Sequence, residues 1–206
     1  HIENNVAFDS FGHCFITEDG NEVDNTFKNN LGAMTRAQRP ELGIGTTDNE
    51  ASTFWITNTK NHFIDNVAAG SQVTGFWVET RGAARTLPLY TFRGNVAHSN
   101  ARHGMQTYAP GWQPPQEAIF ESIKSYKNGQ SGLLIHGTRN LKVKSSIFAA
   151  NSQGVQYFGN GGGNSVEDTE FFAVSTRHAQ GNECIHGYQN SGGLVFSLEP
   201  RSSQIT

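Results

Sequence analysis

One line of residues recurs along the chain: an apolar residue, two or three polar ones often ending in Asn, then a small apolar pair. It reads Ile2-Glu-Asn-Asn5-Val-Ala, Phe27-Lys-Asn-Asn30-Leu-Gly, Phe63-Ile-Asp-Asn66-Val-Ala and Phe92-Arg-Gly-Asn95-Val-Ala. Weaker copies begin at Ile119 and Val143, with a looser one near Val166. The spacing runs through the twenties of residues and stretches once, between Phe27 and Phe63. Most copies are followed by a Gly that opens a short apolar run: Gly12-His-Cys-Phe-Ile, Gly75-Phe-Trp-Val-Glu, Gly104-Met-Gln-Thr-Tyr, Gly132-Leu-Leu-Ile-His and Gly154-Val-Gln-Tyr-Phe. Amphipathic runs at a 3.6-residue period are missing, which argues against a helical solenoid. Short β runs closed by Asn, Ser or Gly, repeated at this period, predict strands stacked coil on coil. The expected fold is a right-handed parallel β-helix of about seven coils. It forms one unit over residues 1–206, with residues 35–52 as an inserted loop, and reads as a segment of a larger protein, open at both ends.

Register then sorts the side chains. Asn tolerates the left-handed backbone at a tight corner and can bond the Asn above and below it. Asn5, Asn30, Asn66 and Asn95 are therefore expected to form an internal ladder. In the runs after each Gly, the first column (His13, Phe76, Met105, Leu133, Val155) and the third (Phe15, Val78, Thr107, Ile135, Tyr157) should point inward. The second (Cys14, Trp77, Gln106, Leu134, Gln156) and fourth (Ile16, Glu79, Tyr108, His136, Phe158) should point outward. His13, in an otherwise apolar column, needs a hydrogen-bond partner, for which Glu18 and Asp19 are candidates. It is either a satisfied buried histidine or a functional imidazole.

The outward columns hold flat rings. Trp77, Tyr108, His136 and Phe158, with Trp112 nearby, could line a strip suited to the apolar faces of sugars, with Glu79, Gln106 and Gln156 reaching hydroxyls. The alternative is that loops, with residues 35–52 as a lid, or a neighbouring domain cover these rings.

Composition narrows the partners. Low charge (16%) and abundant Gly suit many short strands joined by turns. A formal net charge of −3 supplies no basic footprint, so nucleic acid is not expected. No run is apolar enough to span a bilayer. Cys14 and Cys184 fall near opposite ends, too far apart in a stacked fold to bond each other; each is either a small buried residue or pairs outside this segment. The histidines do not fall in one column and no metal-ligand spacing appears, so no metal site or cofactor is expected, with a calcium or other divalent ion left open. No pair of carboxylates is singled out for glycosidic hydrolysis.

The blocks Gly12-His-Cys-Phe-Ile-Thr-Glu-Asp-Gly20, Asn25-Thr-Phe-Lys-Asn-Asn-Leu-Gly32, Ser52-Thr-Phe-Trp-Ile-Thr-Asn58, Asn66-Val-Ala-Ala-Gly-Ser-Gln72 and Ala97-His-Ser-Asn100 resemble a known family. It is the β-helix region shared by the cell migration-inducing hyaluronan-binding protein, transmembrane protein 2 and the fibrocystin-like receptors, and the likeness covers roughly residues 1–160. The resemblance implies an extracellular location, secreted or in the ectodomain of a membrane-anchored protein. It also implies hyaluronan as a ligand class, and it carries over no catalytic residue. Three functions follow as expectations. The first is a module that binds glycan or assembles with neighbouring chains and flanking coils. The second is an enzyme on an acidic polysaccharide, with His13, Glu18 and Asp19 as its catalytic candidates. The third is a purely structural or adhesive element.

Overall fold

The computed structural model describes residues 1–38, 50–108, 111–159 and 161–172, together with the backbone of 192–197 and 204–205. Cys184 and the middle of the predicted insertion, 39–49, lie outside the described residues. The chain coils through three parallel sheets of eight, seven and seven strands, visiting them in turn, so that each strand pairs with its counterparts in the coils before and after. The first sheet runs from Ile2–Glu3 through Thr26–Lys28, His62–Ile64, Thr91–Arg93, Ala118–Glu121 and Leu141–Lys144 to Ser165–Glu167 and Gln204–Ile205. The third sheet collects Phe15–Thr17, Ser52–Ile56, Thr74–Val78, Met105–Thr107, Ser131–His136, Gln153–Phe158 and Gly192–Ser197. A parallel β-solenoid is thus the architecture.

Stacked rings fill the interior. Phe27, Phe63, Phe92 and Phe120 align in the first sheet, the last two with centroids 4.1 Å apart. Phe15, Phe54 and Phe76 align in the third, spaced 4.7 and 4.5 Å. Parallel in-register pairing puts like residues about one strand spacing apart, ~4.8 Å, close to the preferred distance for offset rings. One phenylalanine per coil at a fixed place is therefore enough to make a continuous core.

The asparagine ladder turns the corner between the first and second sheets. Asn5 donates to Asn30, Asn30 to Asn66 and Asn66 to Asn95, each through both its backbone N–H and its side-chain amide, at 2.9–3.1 Å. The expected left-handed backbone does not belong to these residues. It falls one place earlier, at Asn4, Asn29, Asp65 and Gly94, with φ between 53° and 68°. The corner divides its work: one residue bends the chain, and the next uses its amide to satisfy backbone that the bend would leave unpaired.

One copy of the repeat departs from the expected register. Phe92 pairs with Phe120, not Ile119; Ile119 is exposed while Phe120 is buried. That one-residue slip moves Ile123 into the ladder position, where its N–H is taken by Ser146 Oγ at 3.2 Å. A second ladder, unforeseen as such, turns the corner between the second and third sheets. Ser71 N–H donates to Asn100 Oδ1, Asn100 to Asn128, and Asn128 to Asn151. Its bending residues, again one place earlier, include Gly70, Ser99, Lys127 and Ala150.

Ala150 pays a steric penalty at φ 52°, about 1–2 kcal/mol for a residue with a Cβ in this region. Replacing it with glycine removes that penalty and adds about 0.5–1 kcal/mol of unfolded-state entropy. Ala150→Gly should therefore stabilise the fold by roughly 0.5–1 kcal/mol, read as a higher denaturant midpoint at unchanged slope. A lower midpoint would mean that the methyl packs usefully.

Candidate functional site

Outside the core, the three sheets present different chemistry. On the first, Glu3, Lys28, Ile64, Arg93, Glu121, Lys144 and Glu167 form one column of mostly alternating charge. Beside it Lys142 pairs with Glu117 at 3.1 Å and Glu167 at 2.9 Å. On the second, Val6, Leu31, Val67 and Val96 make an aliphatic column that continues through Lys124 and Ile147 to Glu170, beside a column in which His98 and Tyr126 stack at 4.9 Å. The third carries rings and neutral amides, and most of the sequence-predicted site residues fall on it.

The ring column is continuous. Tyr108 meets His136 edge-on at 5.1 Å, and His136 meets Phe158 edge-on at 4.7 Å. Tyr108 and Phe158 keep 37% and 42% of their surface open, enough of each ring for a flat ligand to touch. Burial holds the His136 imidazole below its ordinary pKa, so near neutral pH it is an uncharged ring. Trp77 lies 5.2 Å from Tyr108 but is only 2% exposed, packed with Trp55 and Val73 in a small cluster of its own. It packs against Tyr108 from the neighbouring coil and offers no open face. Trp112 departs further from expectation. It is fully buried in the main core, with its indole N–H donated to Leu87 O at 3.0 Å. It lies in sequence between the third-sheet strand Met105–Thr107 and the first-sheet strand Ala118–Glu121, and its side chain turns into the core because an aromatic of that size costs far less inside than in water.

Glu79 stands at the head of the ring column, paired by register with Tyr108's place. It is half-buried, and that burial raises its pKa above the usual carboxylate range against the pull of Arg81 and the Trp77 indole, with Glu50 adding repulsion. Its carboxyl is thus easier to protonate than an exposed glutamate.

The histidine at residue 13 sits elsewhere than its sequence context suggests. Phe15, not His13, pairs with Phe54 and through it with Phe76. Counting two residues back places His13 beside Ser52 and Thr74, at the corner. Its Nδ1 accepts the Ser52 N–H at 3.1 Å and its ring lies 4.5 Å from Trp55. The slip arises because Cys14, not Gly12, occupies the place held by the glycine in later coils; the Cys14 thiol lies 3.2 Å from Thr35 Oγ1. His103 occupies the same corner column as His13. Buried, with its pKa depressed to about 4 by burial and by Arg102, it is a neutral acceptor for the Ser131 N–H at 3.4 Å. Glu18 and Asp19 contribute their backbone N–H groups, with that of Gly20, to the Glu22 carboxylate at 3.0 Å. Burial opposes ionisation of Glu22, but these donors together outweigh it and lower its pKa. The arrangement builds a tight turn around Glu22.

Sequence reasoning missed a pocket on the same face as the rings, lined by Gln130, Ser152, Gln153 and Gln156. Only Gln156 had been singled out, through its outward column.

Comparison with known proteins matches residues 1–105 to a family described as the CEMIP β-helix. The mouse cell migration-inducing and hyaluronan-binding protein is 29% identical across 75% of this chain and 16% of its own length. The human cell surface hyaluronidase CEMIP2 is 28% identical across 94% of this chain and 19% of its own length. Human fibrocystin-L is 28% identical across 64% of this chain and 4% of its own length. The chain thus spans less than a fifth of each of these relatives.

Proposed function

The chain belongs to the CEMIP β-helix family, and on that premise we propose that it is an extracellular β-helix module that binds a hyaluronan-like glycan along its third sheet. The supporting observation is the Tyr108–His136–Phe158 column, where partly open, uncharged rings follow one another at 5.1 and 4.7 Å. Sugars offer flat C–H faces that stack on such rings, and an elongated array of them suits a polymer better than a small molecule. The first sheet's alternating charges offer no such array, and on the second sheet the stacking among the described outward rings is the His98–Tyr126 pair at 4.9 Å, one contact where the third sheet has two in succession. Degradation of the polymer is the competing reading, drawn from relatives named as hyaluronidases. The group best suited to it is Glu79, whose burial favours the protonated form that a general acid needs. The His13 ring is held in the corner contact described above, while Glu18 and Asp19 join the Glu22 turn through their backbone N–H groups alone.

Titration with hyaluronan oligosaccharides tests both readings at once. Tyr108→Ala and Phe158→Ala should each weaken binding about 10-fold, near 1.4 kcal/mol, while the polymer's chain length stays unchanged on incubation. Binding indifferent to both substitutions would remove the strip. Shortening of the polymer that Glu79→Gln abolishes would establish the enzymatic reading instead.

A further inference from the structure

The pocket beside the ring strip has a definite origin. Two residues, Gly129 and Gln130, separate the ladder residue Asn128 from Ser131; in the next coil, Ser152 alone separates Asn151 from Gln153. One coil is a residue shorter than its neighbour at this corner, and Gln130, Ser152, Gln153 and Gln156 line the hollow.

Its chemistry follows from what is already satisfied around it. Ser131, fully buried, donates its hydroxyl to Gln156 Oε1 at 2.7 Å and also lies 3.3 Å from Gln153 Oε1. The single hydroxyl proton engages the Gln156 carbonyl and reaches the Gln153 carbonyl only as a longer shared contact, so the Gln156 NH₂ is the main donor on offer, with the Gln153 NH₂ beside it. Ser152 Oγ donates its proton to Gly129 O at 2.9 Å, so toward a ligand it can only accept. Paired donors next to a lone acceptor complement the C=O and N–H of one secondary amide. All four lining residues are uncharged, and a carboxylate placed there would lose water with no cation in the lining to offset it. In the Gln156 column, Gln106 Nε2 is a further buried donor without a partner. Gln156 and Phe158 are two apart on one strand, so they share a face about 7 Å apart, roughly one sugar-ring diameter.

We infer that this pocket is a subsite for the acetamido group of an N-acetylated amino sugar whose ring, or its neighbour's, stacks on Phe158. The inference rests on the glycan-binding reading above and gives it a chemical preference.

Calorimetry on the intact chain at physiological salt would use three probes. These are a chitin tetrasaccharide, its fully de-N-acetylated counterpart, and oligogalacturonate, which bears carboxylates and no acetamide. The acetylated sugar should bind at least 10-fold more tightly than either of the others. Gln156→Glu keeps the oxygen that Ser131 holds but replaces the donor with an anionic acceptor. It should weaken the acetylated sugar at least 10-fold and strengthen the ammonium-bearing one, a reversal that misfolding cannot mimic. If acetylated and de-acetylated sugars bind alike, or Gln156→Glu changes neither while Tyr108→Ala weakens both, the subsite is refuted and the ring strip stands. Preference for oligogalacturonate would make the pocket a carboxylate site and refute the acetamide assignment. Binding of none of the three sugars or of hyaluronan would overturn subsite and strip together.

Discussion

Asn66→Ala should destabilise the fold by about 3–5 kcal/mol. Asn66 is fully buried, and its Oδ1 accepts both the N–H and the side-chain amide of Asn30. Its own amide donates to Phe27 O at 2.9 Å and to Asn95 Oδ1 at 3.0 Å. Truncation orphans two donors at once and strips a proton from two acceptors, in a place no water reaches from solvent. Each orphaned buried group costs about 1–3 kcal/mol, so even partial relaxation leaves several. Asn66→Ser, which restores an acceptor but shortens the reach, should recover part of the loss. Equilibrium denaturation reads both. A shift below about 1 kcal/mol would mean that the stack adds little beyond the strand pairing.

The second large effect is expected at Gly104. A Cβ there would lie 2.1 Å from Ser125 Oγ, 2.7 Å from Asn128 Nδ2 and 2.8 Å from Gly132 O. Two of these atoms cannot retreat cheaply. Gly132 O belongs to the next strand, and Asn128 Nδ2 is tied to Asn151 Oδ1 at 2.9 Å. Overpacking a filled interior costs about 1–3 kcal/mol, and displacing a ladder amide adds a broken buried hydrogen bond. Gly104→Ala should therefore cost roughly 3–4 kcal/mol. The coil nearer the N-terminus supports this from the other direction: Thr53 holds the same column, and the neighbouring strand accommodates it with Gly32, whose added Cβ would lie 2.1 Å from Thr53 Cγ2. Gly104→Ala paired with Ser125→Gly should then recover part of the stability. A midpoint unmoved by Gly104→Ala would contradict the packing described.

How much of this was visible beforehand depends on which part of a coil is considered. The corner between the first and second sheets could be read because a large apolar residue and an Asn stand a fixed distance apart at Phe27–Asn30, Phe63–Asn66 and Phe92–Asn95. Where that punctuation fails, register fails with it. Ile119 and Phe120 are adjacent apolar residues, and nothing local says which one turns inward. Gly12 mimics the strand-opening glycine, but in its coil the position is filled by Cys14. The outward ring column could be read because strand alternation is strict. Burial of its members could not, since Trp77 is covered by Trp55 and Val73, contacts between coils that periodicity does not report. Trp112 sits in a connecting loop where no period applies. The glutamine pocket was invisible for a related reason: it arises from a difference in length between two coils, and neither coil alone contains it.

The first ladder also marks off constant ground from adjustable ground. Strands of the first and second sheets are joined throughout by the same two-residue bend, whereas the passage from third sheet back to first ranges from the short link between His136 and Leu141 to the long one between Val78 and Thr91. Those return loops border the ring column. Walls beside the proposed sugar track can therefore lengthen, shorten or change composition without disturbing the amide stacks, so descendants of one scaffold could keep the floor and retune which polymer fits.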